Sequence, residues 1–361
     1  MLPSPFHLLQ TTDAETLAEL WTAADAARRE NVGGAVHLRG LIEVSNWCAC
    51  RCAYCGIRAE NTSISRYRME LEEIVESAAR ALRFGYGSVV LQAGESAARL
   101  PTAWVTEVLR ELRRRFGNEF AITLSLGERP EHDYEAFRQW REAGANRYLL
   151  RFETSNETLF TKIHPGHPGL KVRLNALRRL REIGFEIGSG VMVGIPGQTW
   201  SDLARDIETF REWNLDMIGV GPFLPHPETP LGKSFFAEND PNSDSNSDPN
   251  QVPNDELTTL KTLALTRLAC PRANIPSTTA LAVVDRNAGH ELGLSRGANV
   301  IMPNVTPAKY RTFYEIYPSK ASTCEAAEEF DRKLKERILA CGREIGSGPG
   351  NSRNFQGSFF S

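Results

Sequence analysis

Residues 36–56 read VHLRGLIEVSNWCACRCAYCG, an apolar run ending at Ser45 and then a loop with four cysteines in eight positions. The core spacing is Cys48-x3-Cys52-x2-Cys55, with Cys50 between the first two. Three thiolates in one tight loop can bind three corners of a cubane iron–sulfur cluster and leave the fourth iron open to chelate a substrate. A structural zinc site using Cys50 as fourth ligand is a second reading, although zinc ligand pairs usually sit on two separated knuckles. A Cys-x2-Cys redox pair is a third. The chain has seven cysteines, an odd number, so a disulfide framework is disfavoured against metal or redox chemistry in a reducing cytosol.

Outward from that loop the chain alternates short apolar runs with helical patterns. Strands are expected at 41–45, 88–92, 121–125, 147–153, 187–193, 217–221, roughly 275–278, and 299–302, with helices such as 71–84, 102–115, 134–143, 172–183 and 201–213 between the earlier ones. Eight β-then-α units imply a parallel sheet with right-handed crossovers, and eight can close into a barrel. A doubly wound open sheet would show the same alternation. Thr11, Thr12 and Asp13 offer N-caps for a helix to about Arg29. Residues 237–255, AENDPNSDSNSDPNQVPND, are polar and Pro-interrupted and read as a disordered surface loop. A last helix is expected around 326–340, before a Gly/Ser-rich tail from 346 that reads as frayed.

The 361 residues are ample for a large core, and 41% hydrophobic with 24% charged is ordinary for a globular chain. Lys+Arg of 42 against Asp+Glu of 45 gives a net charge of −3, without the basic footprint of a nucleic-acid or anionic-membrane binder. No run approaches the roughly 18 apolar residues of a membrane helix. The start, MLPSPFHLLQTTD, lacks a positive region and a full apolar stretch, which points to a cytoplasmic rather than a secreted protein.

Strand parity says which side chains face inward. In the fourth strand Arg147, Leu149, Arg151 and Glu153 share one face, and Tyr148, Leu150 and Phe152 the other. Elsewhere Arg39, Glu43 and Ser45 share a face, as do Ser88 and Gln92, Thr123 and Ser125, Gly188, Gly190 and Met192, and Met217, Gly219 and Gly221. A purely structural barrel fills its middle with branched apolar residues, so this polar, small-residue interior favours a ligand cavity. Buried charges need partners, so a structural layer of salt bridges is the plainer alternative.

Cys-x3-Cys-x2-Cys with an aromatic before the last cysteine resembles the signature of radical S-adenosylmethionine enzymes. RYRM (66–69), LQAGE (91–95), TLSLGE (123–128), RYLLRFETSN (147–156), GVMVGIPGQT (190–199), GVGPFLPHPETPL (219–231), ANIPSTTAL (273–281) and GANVIMPNVTPAKYR (297–311) narrow it further. Together they resemble the FeFe-hydrogenase maturase HydE family, related to biotin synthase and methylornithine synthase. The resemblance covers about 36–320. It implies a (β/α)8 TIM-type barrel of the radical SAM kind over 36–320, an N-terminal helical extension over 1–35, and a C-terminal helix and flexible tail over 321–361.

It also implies one 4Fe-4S cluster on Cys48, Cys52 and Cys55, and S-adenosylmethionine held by Tyr54, Gly94, Glu95, Ser125, Glu153, Arg173 and Met192. Below it a small cysteine-bound iron carbonyl cyanide species would meet Arg39, Gln92, Thr123, Arg147, Arg151, Met217, Pro222, Met302, Tyr314 and Tyr317. The implied partners are that small-molecule or organometallic substrate, an electron donor such as a ferredoxin or flavodoxin, and other hydrogenase maturases, with no nucleic acid and no membrane. Two positions depart from the pattern: Ala93 stands where Ser is more common, and Phe152 where His is common, although parity turns Phe152 outward. Cys324, Cys341 and Cys270 do not form a second cluster motif. A biotin synthase-like or methylornithine synthase-like enzyme acting on an amino acid or thiol, and a non-enzymatic iron–sulfur carrier, are the alternatives.

Overall fold

The computed structural model describes residues 3–238, 248–286, 288–318 and 327–355. Eight parallel-paired strands are present among them: β1 (Ala35–Ser45), β2 (Ser88–Ala93), β3 (Ala121–Ser125), β4 (Arg147–Leu149), β5 (Glu186–Val193), β6 (Met217–Pro222), β7 (Val300–Ile301) and β8 (Glu344–Ile345). Seven follow one path, β6-β5-β4-β3-β2-β1-β7, and β8 pairs with the start of β1. The sheet curls so far that 274–276 bridges its two edges: Asn274 pairs with Met217 of β6, and Pro276 with Val300 of β7. The strand expected at 275–278 is thereby reduced to single bridges. Pro276 brings no N–H to a ladder, and the pairing passes to Ser277, whose N–H donates to Val300 O at 2.9 Å. The chain is thus an α/β barrel and not an open doubly wound sheet.

Helices fill the crossovers because their apolar residues recur every three to four positions. In Leu71–Arg83 these are Ile74, Val75, Ala78 and Ala81, all buried against the sheet. Asp13 caps Ala14–Val32 as expected, its Oδ2 accepting Thr16 N–H at 2.8 Å. That helix packs on Glu256–Ala269 outside the barrel.

β4 is shorter than the seven residues expected. Phe152 N–H goes to Ser189 Oγ rather than to a carbonyl, and Glu153 stands at φ 64°, which takes the chain out of the ladder. Parity nevertheless holds through the segment. Tyr148, Leu150 and Phe152 are buried outside the sheet, with Tyr148 edge-on to Phe137 at 5.2 Å and Phe152 5.7 Å from Phe210.

Two segments differ from expectation. Of 237–255, residues 239–247 lie outside the described residues, but 248–255 is docked: Val252 is buried and its N–H donates to Gln198 O, while Asn254 Nδ2 donates to Phe223 O. The tail is not frayed as far as 355. After the helix Ala327–Ala340 the chain forms β8 and then passes under the barrel, where buried side chains take up its carbonyls. Composition hid this, because a glycine-rich segment reads as flexible whether or not buried donors await it.

Candidate active site

β1 delivers Asn46 at the top of the barrel, fully buried and pinned three ways: Nδ2 donates to Ser65 O and Phe313 O, and Oδ1 accepts Tyr67 N–H. The cysteine loop that follows has no regular structure, so its carbonyls need side-chain donors. Arg66 supplies four hydrogen bonds, to Asn46 O (2.6 Å), Ile57 O (2.7 Å), Arg58 O (2.6 Å) and Asn61 O (2.9 Å). Arg58 takes Cys52 O and Arg51 O. A guanidinium fork suits this gathering role, which a lysine could not reproduce. From the barrel side Ala49 N–H donates to Glu95 O and Ala53 N–H to Ile163 O.

The loop therefore holds Cys48, Cys50, Cys52 and Cys55 half-buried on one wall of a cavity of about 260 Å³. Among the described residues no three Cys, His, Asp or Glu side chains converge to clasp a single ion. Thiols spaced along one wall of a cavity are an arrangement that a cubane accepts. Gly94 leaves the space: a Cβ there would stand 2.5 Å from Trp47 O and 2.8 Å from Cys48 Cβ. Cys50 is hydrogen-bonded to its neighbour Cys48. That bond pushes the Cys50 thiol up and holds Cys48 down to about 7, and the Cys50 Sγ lies 3.2 Å from Glu95 Oε1.

Across the cavity lies a polar network. Glu128 Oε2 accepts Arg173 Nε and His167 Nε2, both at 2.6 Å, and Arg173 Nη1 donates to Arg151 O at 2.7 Å. Burial would push the Glu128 carboxyl up, but His167 and Arg173 outweigh it and hold it below its usual range. Glu153 goes the other way: burial raises it against the opposing pull of Arg151, whose Nη2 is 2.9 Å from Oε2. Its left-handed backbone is held by Glu153 N–H to Gly190 O and Met192 N–H to Glu153 O; such strain is found at sites the fold over-determines. Tyr54 OH lies 3.2 Å from His164 Nε2, and His164 Nδ1 lies 3.0 Å from Phe160 O. Burial and the nearby Arg173 lower His164 to about 3, so it is neutral, with Nδ1 donating and Nε2 accepting.

The cavity brings together Cys48, Cys52 and Cys55 with Tyr54, Gly94, Glu95, Ser125, Glu153, Arg173 and Met192. Gln92, Pro222, Tyr314 and Tyr317 line it as well. Beneath it lies a narrower pocket of about 50 Å³, walled by Arg39, Thr123, Met217 and Met302. Leu149 and Arg151 line both and form the neck between them. Arg147 lines neither. It is fully buried below, 3.1 Å from Glu186, with Nη2 on Pro349 O and Asn351 Oδ1, so the expected direct contact with a ligand is replaced by contact with the tail. Phe152 faces away from the cavity, so only Ala93 of the two departures alters its wall.

Sequence reading missed Glu128, His164 and His167. The last two flank the Pro-Gly turn of HPGHPG (164–169), the signal that could have flagged them.

The family model of the radical SAM superfamily matches residues 42–210. The chain is 44% identical over 327 residues to the "[FeFe] hydrogenase maturase subunit HydE" of Thermotoga maritima, covering 91% of this chain and 86% of that protein. It is 29% identical to the 3-methylornithine synthase of Methanosarcina acetivorans, over 91% of this chain and 83% of that protein. Among solved structures, methylornithine synthase (PylB) superposes with a TM-score of 0.75 at 24% identity, over 95% of this chain and 93% of that one.

Proposed function

Because this chain belongs to the HydE family of [FeFe]-hydrogenase maturases, radical SAM enzymes, we propose that it performs the HydE-type step of hydrogenase cluster assembly on a cysteine-bound iron carbonyl cyanide substrate. The carrying observation is the two-storey interior: a wide cavity at the cysteine loop with a buried charged network on its far side, and a narrow chamber beneath it joined through Arg151.

Cys48, Cys52 and Cys55 are the ligands proposed for the one 4Fe-4S cluster. A cluster held there would supply the electron for reductive cleavage of S-adenosylmethionine to a 5′-deoxyadenosyl radical. Glu95, held by Glu128 N–H at Oε2, faces the methionyl amino group from beside Gly94. Arg173 gives the carboxylate a fork of donors already fixed by Glu128. Tyr54, Ser125, Glu153 and Met192 hold the nucleoside part. At the neck, Arg151 orients an anionic substrate below. Gln92, Pro222, Tyr314 and Tyr317 narrow the cavity and keep water from the radical. A one-electron carrier of the ferredoxin or flavodoxin kind and the other maturases are the proposed partners. Among the described residues, no helix is long and apolar enough to cross a membrane.

The test is anaerobic reconstitution with iron and sulfide, then S-adenosylmethionine and reductant, with 5′-deoxyadenosine quantified with and without the cysteine–iron carbonyl cyanide precursor. Turnover that consumes the precursor supports the reading. Cleavage that ignores it points to another substrate, such as an amino acid, and no cleavage from a loaded cluster points to a carrier. Cys48→Ala, Cys52→Ala and Cys55→Ala should each abolish cleavage, and Cys50→Ala should not.

A further inference from the structure

The tail passes under the N-terminal end of the strands. There Gly350 O accepts Arg39 Nη2 and Asn274 Nδ2, each at 3.0 Å. Arg147 Nη2 donates to Pro349 O at 2.7 Å and to Asn351 Oδ1 at 2.6 Å. Ser352 N–H reaches Glu186 Oε1, and Asn354 Nδ2 reaches Leu215 O. The backbone is shaped for this close approach. Gly350 has φ +61°, and a Cβ on it would stand 2.6 Å from His37 Cγ.

The two guanidiniums are 3% and 0% exposed. Glu186 stands at ion-pair distance from Arg147, and its charge is shared with Arg39 close by. These buried cations have the Glu186 carboxylate and, near Arg147, the buried Asp216 carboxyl group beside them, and the tail carbonyls and the Asn351 amide add oriented dipoles on the side facing the tail. The consequence reaches the chamber above. With Nη2 drawn down to Gly350 O, Arg39 Nη1 sits 3.0 Å from Met217 Sδ in the chamber wall. Nε of Arg39 and Oγ1 of Thr123 are buried there without a hydrogen-bond partner.

We propose that residues 346–354 are a working part of the substrate chamber: they back its wall at Arg39 and Asn274, and Gly350 and Asn351 are positioning residues, Gly350 setting Arg39 directly and Asn351 acting through Arg147 and the Glu186 it shares with Arg39. This rests on the reading that the chamber beneath Arg151 takes the substrate. A tail that only covered the barrel end would leave both arginines set without it.

The test compares the reconstituted full chain with a chain ending at Ile345, Asn351→Ala and Asn351→Asp. Arginine modification by a dicarbonyl reagent, mapped by peptide mass, is the first readout. Arg39 and Arg147 should be protected in the full chain and react about tenfold faster in the shortened one, a charged hydrogen bond being worth about that factor or more. Arg267, buried elsewhere, should stay protected and report the fold. The second readout is a KM-against-kcat split. Asn351→Ala should raise the precursor KM about tenfold with kcat changed less than about twofold, and Asn351→Asp, which keeps an acceptor oxygen, should restore it.

The proposal is overturned if Arg39 and Arg147 stay protected in the shortened chain, or if Asn351→Ala leaves the precursor KM unchanged. Should the shortened chain lose protection at Arg267, the two Asn351 variants decide. Should the full chain ignore the precursor, the function reading fails, and the labelling still decides whether the tail sets the arginines.

Discussion

At Glu128 one oxygen serves two side chains. Oε2 takes both Arg173 and His167, while Oε1 is buried without a hydrogen-bond partner. Replacing the charge strands Arg173, which is buried beside the cavity. Glu128→Gln should cost the apo-protein about 3 kcal/mol in urea denaturation, because breaking a buried pair leaves a charge uncompensated. His164 makes a pH prediction with a definite sign. Its folded value of about 3 lies below the ordinary 6.5, so on acidification the unfolded chain takes a proton that the folded chain refuses. Stability from this residue is complete above about pH 6.5 and is lost as pH falls toward 3. Between pH 7 and pH 5 the parent should lose up to about 2 kcal/mol more than His164→Gln, read from paired denaturation curves. Neither role was legible in the sequence, where a histidine beside Pro-Gly reads as a turn residue. The partners are set by packing.

The cysteine loop was legible as an element because its spacing is local: three thiols within eight positions mark a metal or redox site whatever the remainder does, and the family resemblance singled out the cluster. How the loop keeps its shape was not legible. Arg66 sat unremarked within RYRM, yet it binds four carbonyls across 46–61. Arg66→Ala should reduce iron bound per chain after reconstitution by more than half, with helix content by circular dichroism unchanged. The loop would lose several charge-assisted bonds, at about 1.5–3 kcal/mol each, while the barrel keeps its core. Unchanged iron content would show that the remaining loop contacts suffice. The fourth strand was legible by parity, and parity was enough to turn Phe152 outward and Arg151 inward. Its early end at Leu149 was not, since it depends on Ser189 Oγ and the left-handed Glu153.

At the scale of the molecule the barrel is thinnest where 274–276 stands between β6 and β7. Asn299 stitches that seam: its Oδ1 accepts Ile275 N–H and Arg267 Nη2, and its Nδ2 donates to Asn274 Oδ1. Asn299→Ala should destabilise the protein by about 2–3 kcal/mol, because buried donors on both sides lose their acceptor. Amide exchange should rise first at 274–278. Uniform acceleration over the whole chain would show that the seam is not a weak point of its own.

By itself the sequence determined the alternation of strands and helices, the inward and outward faces, the cysteine chemistry and the family resemblance. All of these are periodic or short-range properties. Tertiary structure alone decided that the ring closes through Asn274 and Pro276, that Arg147 lies below the chamber and not in it, and that the glycine-rich tail packs against Arg39, Arg147 and Asn274. The closure joins residues 24 to 57 positions apart, and the tail contacts join residues about 200 to 300 apart. At neither distance does a local pattern signal which buried donor will meet which carbonyl.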